Sequence, residues 1–204
     1  MAHAITSIEA LEALYGLPSG ASVVKEVDYI HPHYRAFIEA APFCIIATAG
    51  PEGLDCSPRG DPAGFVAVED AHTLLVPDRR GNNRIDTLRN LVHDPRIGLL
   101  FLIPGVGETL RVNGRALIST DPRLLDRFAI EGKAPRSVLR VTAERVYFQC
   151  PKAIIRSRLW DPGCQIPRAA LPSVGTILKD ITAGASGGEA YDAAYPQRIR
   201  ETIY

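Results

Sequence analysis

The 204-residue sequence predicts a mainly β fold, an antiparallel β-barrel with peripheral helices. Three observations carry that expectation. About seven short apolar or alternating runs fill the middle of the chain, most of them separated by hairpin-length turns. Helical patterns are few and short. Strand and helix do not alternate regularly, as a doubly wound parallel sheet would require.

Taken in order, residues 7–15 (SIEALEALY) place Ile8, Leu11 and Leu14 at threes, a short surface helix stopped by Gly16 and Pro18. The segment through Glu26 reads as irregular, and residues 32–40 predict a second helix with His31 or Asp28 near its start. FCIIATA at 43–49, the turn PEG and the extended LDCS form a first hairpin; GFVAV at 64–68 and TLLVP at 73–77 form a second around EDAH. RIDTLRNLVHD has helical spacing, with Ile85, Leu88 and Val92 on one side, Asn83 as N-cap and Asp86 three residues on, and Pro95 as its stop. RIGLLFLI predicts a buried strand, PGVGE a turn, and TLRVNGRALI a long alternating strand. In it Leu110, Val112, Ala116 and Ile118 face one way, and Arg111, Asn113 and Arg115 the other. A helix near 123–128 precedes a last strand at 138–150. Beyond Pro151, proline and glycine interrupt every pattern; AGASGGE at 183–189 reads as a flexible connection to a helix near 191–203. The organisation expected is a helical extension (1–40), a barrel domain (41–162) and an extension packing on the barrel or on a partner subunit (163–204).

Composition narrows the function classes. Lysine plus arginine and aspartate plus glutamate both number 23, so the net charge is zero and no general basic surface is available for nucleic acid or anionic membrane. Aromatic residues make up only 7%, which disfavours a single-strand nucleic-acid barrel built on stacked bases. No signal-peptide pattern opens the chain and no apolar run reaches the roughly 18 residues of a membrane span, so the cytoplasm is the expected compartment. The four cysteines show no CxxC pair and read as reduced thiols. The pair His31 and His33 lacks a further ligand at metal-binding spacing, and no GxSxG, Walker loop or strand-following GxGxxG is present. No metal is expected, and no paired geometry marks a catalytic acid or base.

Any anion site must therefore be a local concentration of arginine. From Asp78 to Arg96 there are five arginines against three aspartates. Arg79, Arg80, Asn82, Asn83 and Arg84 form a fork of donors at a predicted helix start, which suits a phosphate dianion. SPRGD, with Ser57, Arg59 and Gly60, reads as a second arginine–glycine turn. Flavin mononucleotide (FMN) is the best candidate ligand. Arg59, Arg79, Arg80 and Arg84, with Asn82 and Asn83, would meet its phosphate; strand positions beside Arg111 and the glycines Gly60 and Gly81 would let N–H groups approach its ring. Ser57 and Asp78, which border the two arginine segments, complete this set.

SPRGDPAGFV, LLVPDRRGNNRIDTLRNL, LLFLIPGVGETLRVNGRA and CPKAIIRSRLWDP together resemble the FMN-binding split-barrel superfamily of pyridoxamine 5′-phosphate oxidase, and within it bacterial flavoproteins of uncertain substrate. The resemblance runs collinearly over about residues 37–162. It implies a homodimer of Greek-key split barrels with two flavins at the subunit interface. It also implies phosphate binding by Arg79, Arg80, Asn82, Asn83, Arg84 and Arg59, and contacts to the partner's flavin from Lys152, Arg156, Ser157 and Trp160. The arginine-and-histidine signature that binds substrate phosphate in true pyridoxamine phosphate oxidases is not recognisable in PQRIRETIY. The function so implied is an FMN-dependent oxidoreductase passing hydride or electrons between flavin and a small organic substrate or reduced nicotinamide. The alternative on the same barrel is a non-catalytic carrier or sensor of flavin, deazaflavin F420 or tetrapyrrole.

Overall fold

Seven strands form one antiparallel sheet in the order β2-β1-β5-β6-β7-β4-β3, in a computed structural model that describes residues 3–18 and 20–204. The expected extension at 1–40 includes residues 1, 2 and 19, which lie outside the described residues. The strands are β1 (Phe43–Gly50), β2 (Gly53–Gly60), β3 (Ala67–Val68), β4 (Thr73–Asp78), β5 (Arg96–Leu102), β6 (Thr109–Ser119) and β7 (Ser137–Gln149). The helices are α1 (Ile8–Tyr15), α2 (Ala21–Val24), α3 (Pro32–Ala40), α4 (Asp86–His93), α5 (Pro122–Arg127), α6 (Lys152–Ser157), α7 (Val174–Ile181) and α8 (Glu189–Thr202). Hairpins join β1 to β2, β3 to β4 and β5 to β6, while α4 carries the chain from one end of the strand order to β5 near the other. Among the described residues no ladder joins β2 to β3, so the barrel is split there.

Alternation builds the core. Cys44, Ile46 and Thr48 of β1, Ile97, Leu99 and Phe101 of β5, and Leu110, Val112 and Ala116 of β6 are buried on one face. All of these but Thr48 join Ile38 of α3, Leu74 and Val76 of β4, and Leu139, Val141 and Val146 of β7 in one hydrophobic cluster. A second, smaller cluster of Leu75, Phe128 and Val138 lies beneath α5, which is why β4 is buried on both faces. Burial pushes the Cys44 thiol up to about 12, which makes it a core side chain rather than a nucleophile.

Two close approaches require glycine. A β-carbon on Gly114 would stand 2.0 Å from the Thr142 carbonyl oxygen, at the bulge where the β6–β7 register shifts. One on Gly50 would stand 2.1 Å from Asn90 Oδ1 of α4. Asn90 is buried there, donating to Thr48 Oγ1 at 3.2 Å. This contact corrects the expected face of α4. The helix buries Thr87, Asn90 and Leu91, while Ile85 and Val92 are exposed. A partly polar seam covers the end of β1, so the apolar spacing pointed about one residue off the true contact side.

Other expectations shift locally. Asn83 is not the N-cap of α4; Ile85 is, in a left-handed conformation and with no side-chain cap. Ser57, Arg59 and Gly60 lie in β2 rather than in a turn. Residues 21–24, read as irregular, form the single-turn α2, and the proline-interrupted region after Pro151 still folds α6 and α7. The helices α7 and α8 pack on one another through Asp192, whose carboxylate accepts from Gly175 N at 2.7 Å and from Ser173 Oγ at 2.5 Å. Among the described residues no helix is long and apolar enough to cross a membrane.

Candidate functional site

Where the barrel is split, α4 instead of another strand covers the inner face of β2, and a cleft of about 810 Å³ opens between them. Strand alternation decides what β2 contributes. Asp55, Ser57 and Arg59 are half-buried and line the cleft, opposite Thr48, Ile46 and Cys44 of β1, whereas Leu54 and Cys56 lie on the outward face with Pro58, which also borders the cleft. The end of β4 supplies Pro77 and Asp78, the loop into α4 supplies residues 79–85, and α4 supplies Asp86, Thr87 and Leu88. Arg136 and Ser137 enter because Ser137 pairs with Asp78 across the β4–β7 ladder.

The cationic groups differ in how they are held. Arg79 is pinned: its Nε donates to Asp61 Oδ2 at 2.7 Å and its Nη1 to the Phe128 carbonyl at 2.6 Å. The two side chains of this pair are 16% and 4% exposed. Arg59 donates from Nη2 to Asp78 Oδ1 at 3.3 Å and to Thr87 Oγ1 at 3.4 Å. Thr87 in turn donates to Asp55 Oδ2 in a short hydrogen bond, and Ser57 Oγ donates to Asp55 Oδ1 at 2.9 Å. Burial pushes the Asp78 carboxyl above its usual range, against the opposing pull of the Arg59 charge. Arg84 makes a 2.8 Å pair with Asp86, but these side chains are 76% and 41% exposed. Such a pair is worth little and opens easily.

Among the described residues two guanidinium groups of the cleft make no ion pair, although the Arg136 charge also pulls on the Asp78 carboxyl. Arg80 is exposed and has no partner among the described residues. Arg136 donates only to Asn83 Oδ1, at 3.1 Å. Across the lining, Arg59, Arg79, Arg80, Arg84 and Arg136 face Asp55, Asp61, Asp78 and Asp86, so the balance is five positive charges to four negative and the excess sits at the loop. Ser137 is 5% exposed, and its hydroxyl is buried with no hydrogen-bond partner. Asn83 (φ 62°) and Ile85 (φ 54°) are both left-handed; for a β-branched isoleucine that conformation is strained.

The cleft thus gathers Ser57, Arg59, Gly60, Asp78, Arg79, Arg80, Gly81, Asn82, Asn83 and Arg84 of the expected set. Gly81 has open space on the side where a β-carbon would stand. The remaining members lie outside this lining. Arg111, on the outer face of β6, donates to Tyr147 Oη at 2.8 Å. Lys152, Arg156 and Ser157 are exposed on α6, and Trp160 donates from Nε1 to the Val106 carbonyl at 2.7 Å. The sequence reading missed Asp55, Asp61, Phe65, Thr87, Arg136, Ser137, Ile203 and Tyr204. Asp55 had a signal, since it stands two residues before Ser57 on the same strand face. Asp61 had one too, as the last residue of SPRGD directly after β2, while the others reach the cleft from other elements.

Comparison with known proteins agrees with this architecture. HupZ of Group A Streptococcus is 17% identical, with 59% of this chain and 94% of that chain covered and a TM-score of 0.50. A protein related to general stress protein 26, of the pyridoxinephosphate oxidase family, from Clostridium acetobutylicum is 15% identical; the match covers 58% of this chain and 86% of that one at a TM-score of 0.46. At such identities the HupZ likeness speaks for the fold alone. No curated protein matches the sequence. The sequence-family model described as pyridoxamine 5′-phosphate oxidase, however, matches residues 30–150, which is more than half of the chain and spans α3 through β7. With a split antiparallel barrel over the same residues, this chain belongs to the pyridoxamine 5′-phosphate oxidase family.

Proposed function

We propose that the cleft binds FMN and that the protein is a flavoprotein oxidoreductase acting on a small organic substrate or a reduced nicotinamide. The observation that carries this reading is the pair of exposed guanidinium groups, Arg80 and Arg136, that make no ion pair among the described residues and line a cleft large enough for the ligand. Arg80 and Arg136, with Arg84 released from its exposed pair and with Asn82 and Asn83 as neutral donors, would hold the phosphate. The unpartnered Ser137 hydroxyl is the kind of buried polar group that a ligand completes. Phe65, Pro77 and Leu88 supply apolar lining for a planar ring, and Asp78 and Arg59 set the polarity beside it. Bound flavin would supply hydride and single-electron chemistry; the chain supplies placement and access.

The same reading places the flavin at a homodimer interface. A homodimer also has a surface available on the face of β2 and β1 opposite the cleft, where Leu54 (90% exposed), Cys56 and Pro58 stand beside Ala49, Ala47 and Ile45 in a continuous small and apolar strip. In that arrangement Lys152, Arg156, Ser157 and Trp160 would meet the partner's flavin.

The test is an absorption spectrum of the purified protein before and after incubation with FMN, followed by anaerobic addition of NADH or NADPH. We expect a flavin spectrum with one FMN per chain and its bleaching on reduction. A colourless protein that takes up no FMN would remove the reading. A flavin that binds but never cycles would leave a carrier or sensor, and the spectrum would distinguish FMN from F420.

A further inference from the structure

The far end of the described chain also takes part in the cleft. After α8, Ile203 and Tyr204 return to the barrel and line the cleft. The α7–α8 hairpin packs chiefly on itself, and this return is the point at which it reaches the arginine loop. Tyr204 Oη donates to Asp61 Oδ1 at 2.9 Å, across 143 residues of sequence. Its ring lies under the Arg79 guanidinium, 5.7 Å from the ring centroid. Asp61 therefore divides its carboxylate, with Oδ2 on Arg79 and Oδ1 on Tyr204, and Arg79 continues to the Phe128 carbonyl.

We propose that Tyr204 is a binding residue of the cleft, a movable wall latched by Asp61 that must swing away for ligand to enter or leave. The inference rests on the FMN reading and adds to it how exchange is controlled. Size separates a wall from a plug. With Tyr204 in place the cleft still measures about 810 Å³, inside the range of ligand pockets, so the latched state has room for ligand. Ease of movement comes from the anchoring. Among the described residues the phenol bond and the contact with Arg79 are the polar contacts that hold the segment to the barrel, and neither Ile199 nor Ile203 of the approach is buried.

The test compares the wild-type chain with Tyr204→Phe and Tyr204→Ala by two readouts. The first is the rate of FMN release, followed by fluorescence on dilution of the complex. Tyr204→Phe removes the hydrogen bond to the carboxylate and should speed release roughly tenfold, with Tyr204→Ala faster still. The second is the rate of tryptic cleavage after Arg198 and Arg200 in α8, which needs no flavin and should rise in both variants. Unchanged release and unchanged cleavage would overturn the latch, and slower release or tighter binding would show a plug competing with ligand. Should the wild-type chain bind no FMN, the flavin reading falls, and the cleavage comparison alone decides whether the latch exists.

Discussion

Replacing Arg80 and Arg136 together with alanine should weaken FMN binding by at least about a hundredfold while the protein melts at nearly its original temperature. Hydrogen bonds from charged donors to a charged acceptor contribute roughly 1.5–3 kcal/mol each, so two lost phosphate contacts come to about 3–6 kcal/mol. The fold should not notice. Arg80 has no partner to lose among the described residues, and Arg136 loses one exposed contact to Asn83. Fluorescence titration gives the affinity and thermal melting the control. Because the donors are solvent-exposed, the wild-type affinity should also fall as salt is raised. An unchanged dissociation constant in the double variant would place the phosphate elsewhere.

Arg79→Ala should behave in the opposite way, as a loss of stability before a loss of binding. Arg79 and Asp61 are 16% and 4% exposed, so deletion of the cation strands a carboxylate that has left water. Breaking a buried pair costs about 3–5 kcal/mol, and the partial exposure of Arg79 puts this one nearer 2–4 kcal/mol. For a chain of this length that corresponds to a melting temperature lower by roughly 5–15 °C. Arg84→Ala, which breaks the exposed pair with Asp86, is the matched control and should shift melting by less than about 2 °C. Equal shifts in the two variants would mean that Arg79 is no anchor. The dense run of arginines thus divides by burial into a structural member and free ones, although in sequence they are indistinguishable neighbours.

That division marks what could be read in advance. The strands were legible because alternation is local: the burial of Leu110, Val112 and Ala116 follows from TLRVNGRALI alone. The arginine loop was legible because its donors are consecutive. The pairings of its acidic partners were not, because Asp61 and Asp55 become neighbours of Arg79 and Thr87 only when the β1–β2 hairpin lies beside α4. Arg136 and Ser137 were hidden for a related reason. They are brought to Asp78 by a ladder that closes more than 50 residues of chain, with a sequence separation of 53 between Arg136 and Asn83. The face of α4 was misjudged because its buried side uses Thr87 and Asn90, whose value depends on Thr48, Gly50 and Asp55.

The two-residue rhythm of β2 has a consequence for the natural variation this chain can tolerate. Asp55, Ser57 and Arg59 share a face only because each is separated from the next by one outward residue. A single inserted or deleted codon within this strand would reverse the facing of every residue on one side of the change, so that Asp55, Ser57 and Arg59 could no longer all share the cleft face. Length changes in the exposed turn at Gly105, which no ladder constrains, would leave that phase untouched. Homologues that keep the lining of this cleft should therefore differ freely in loop length but never in the spacing along this strand.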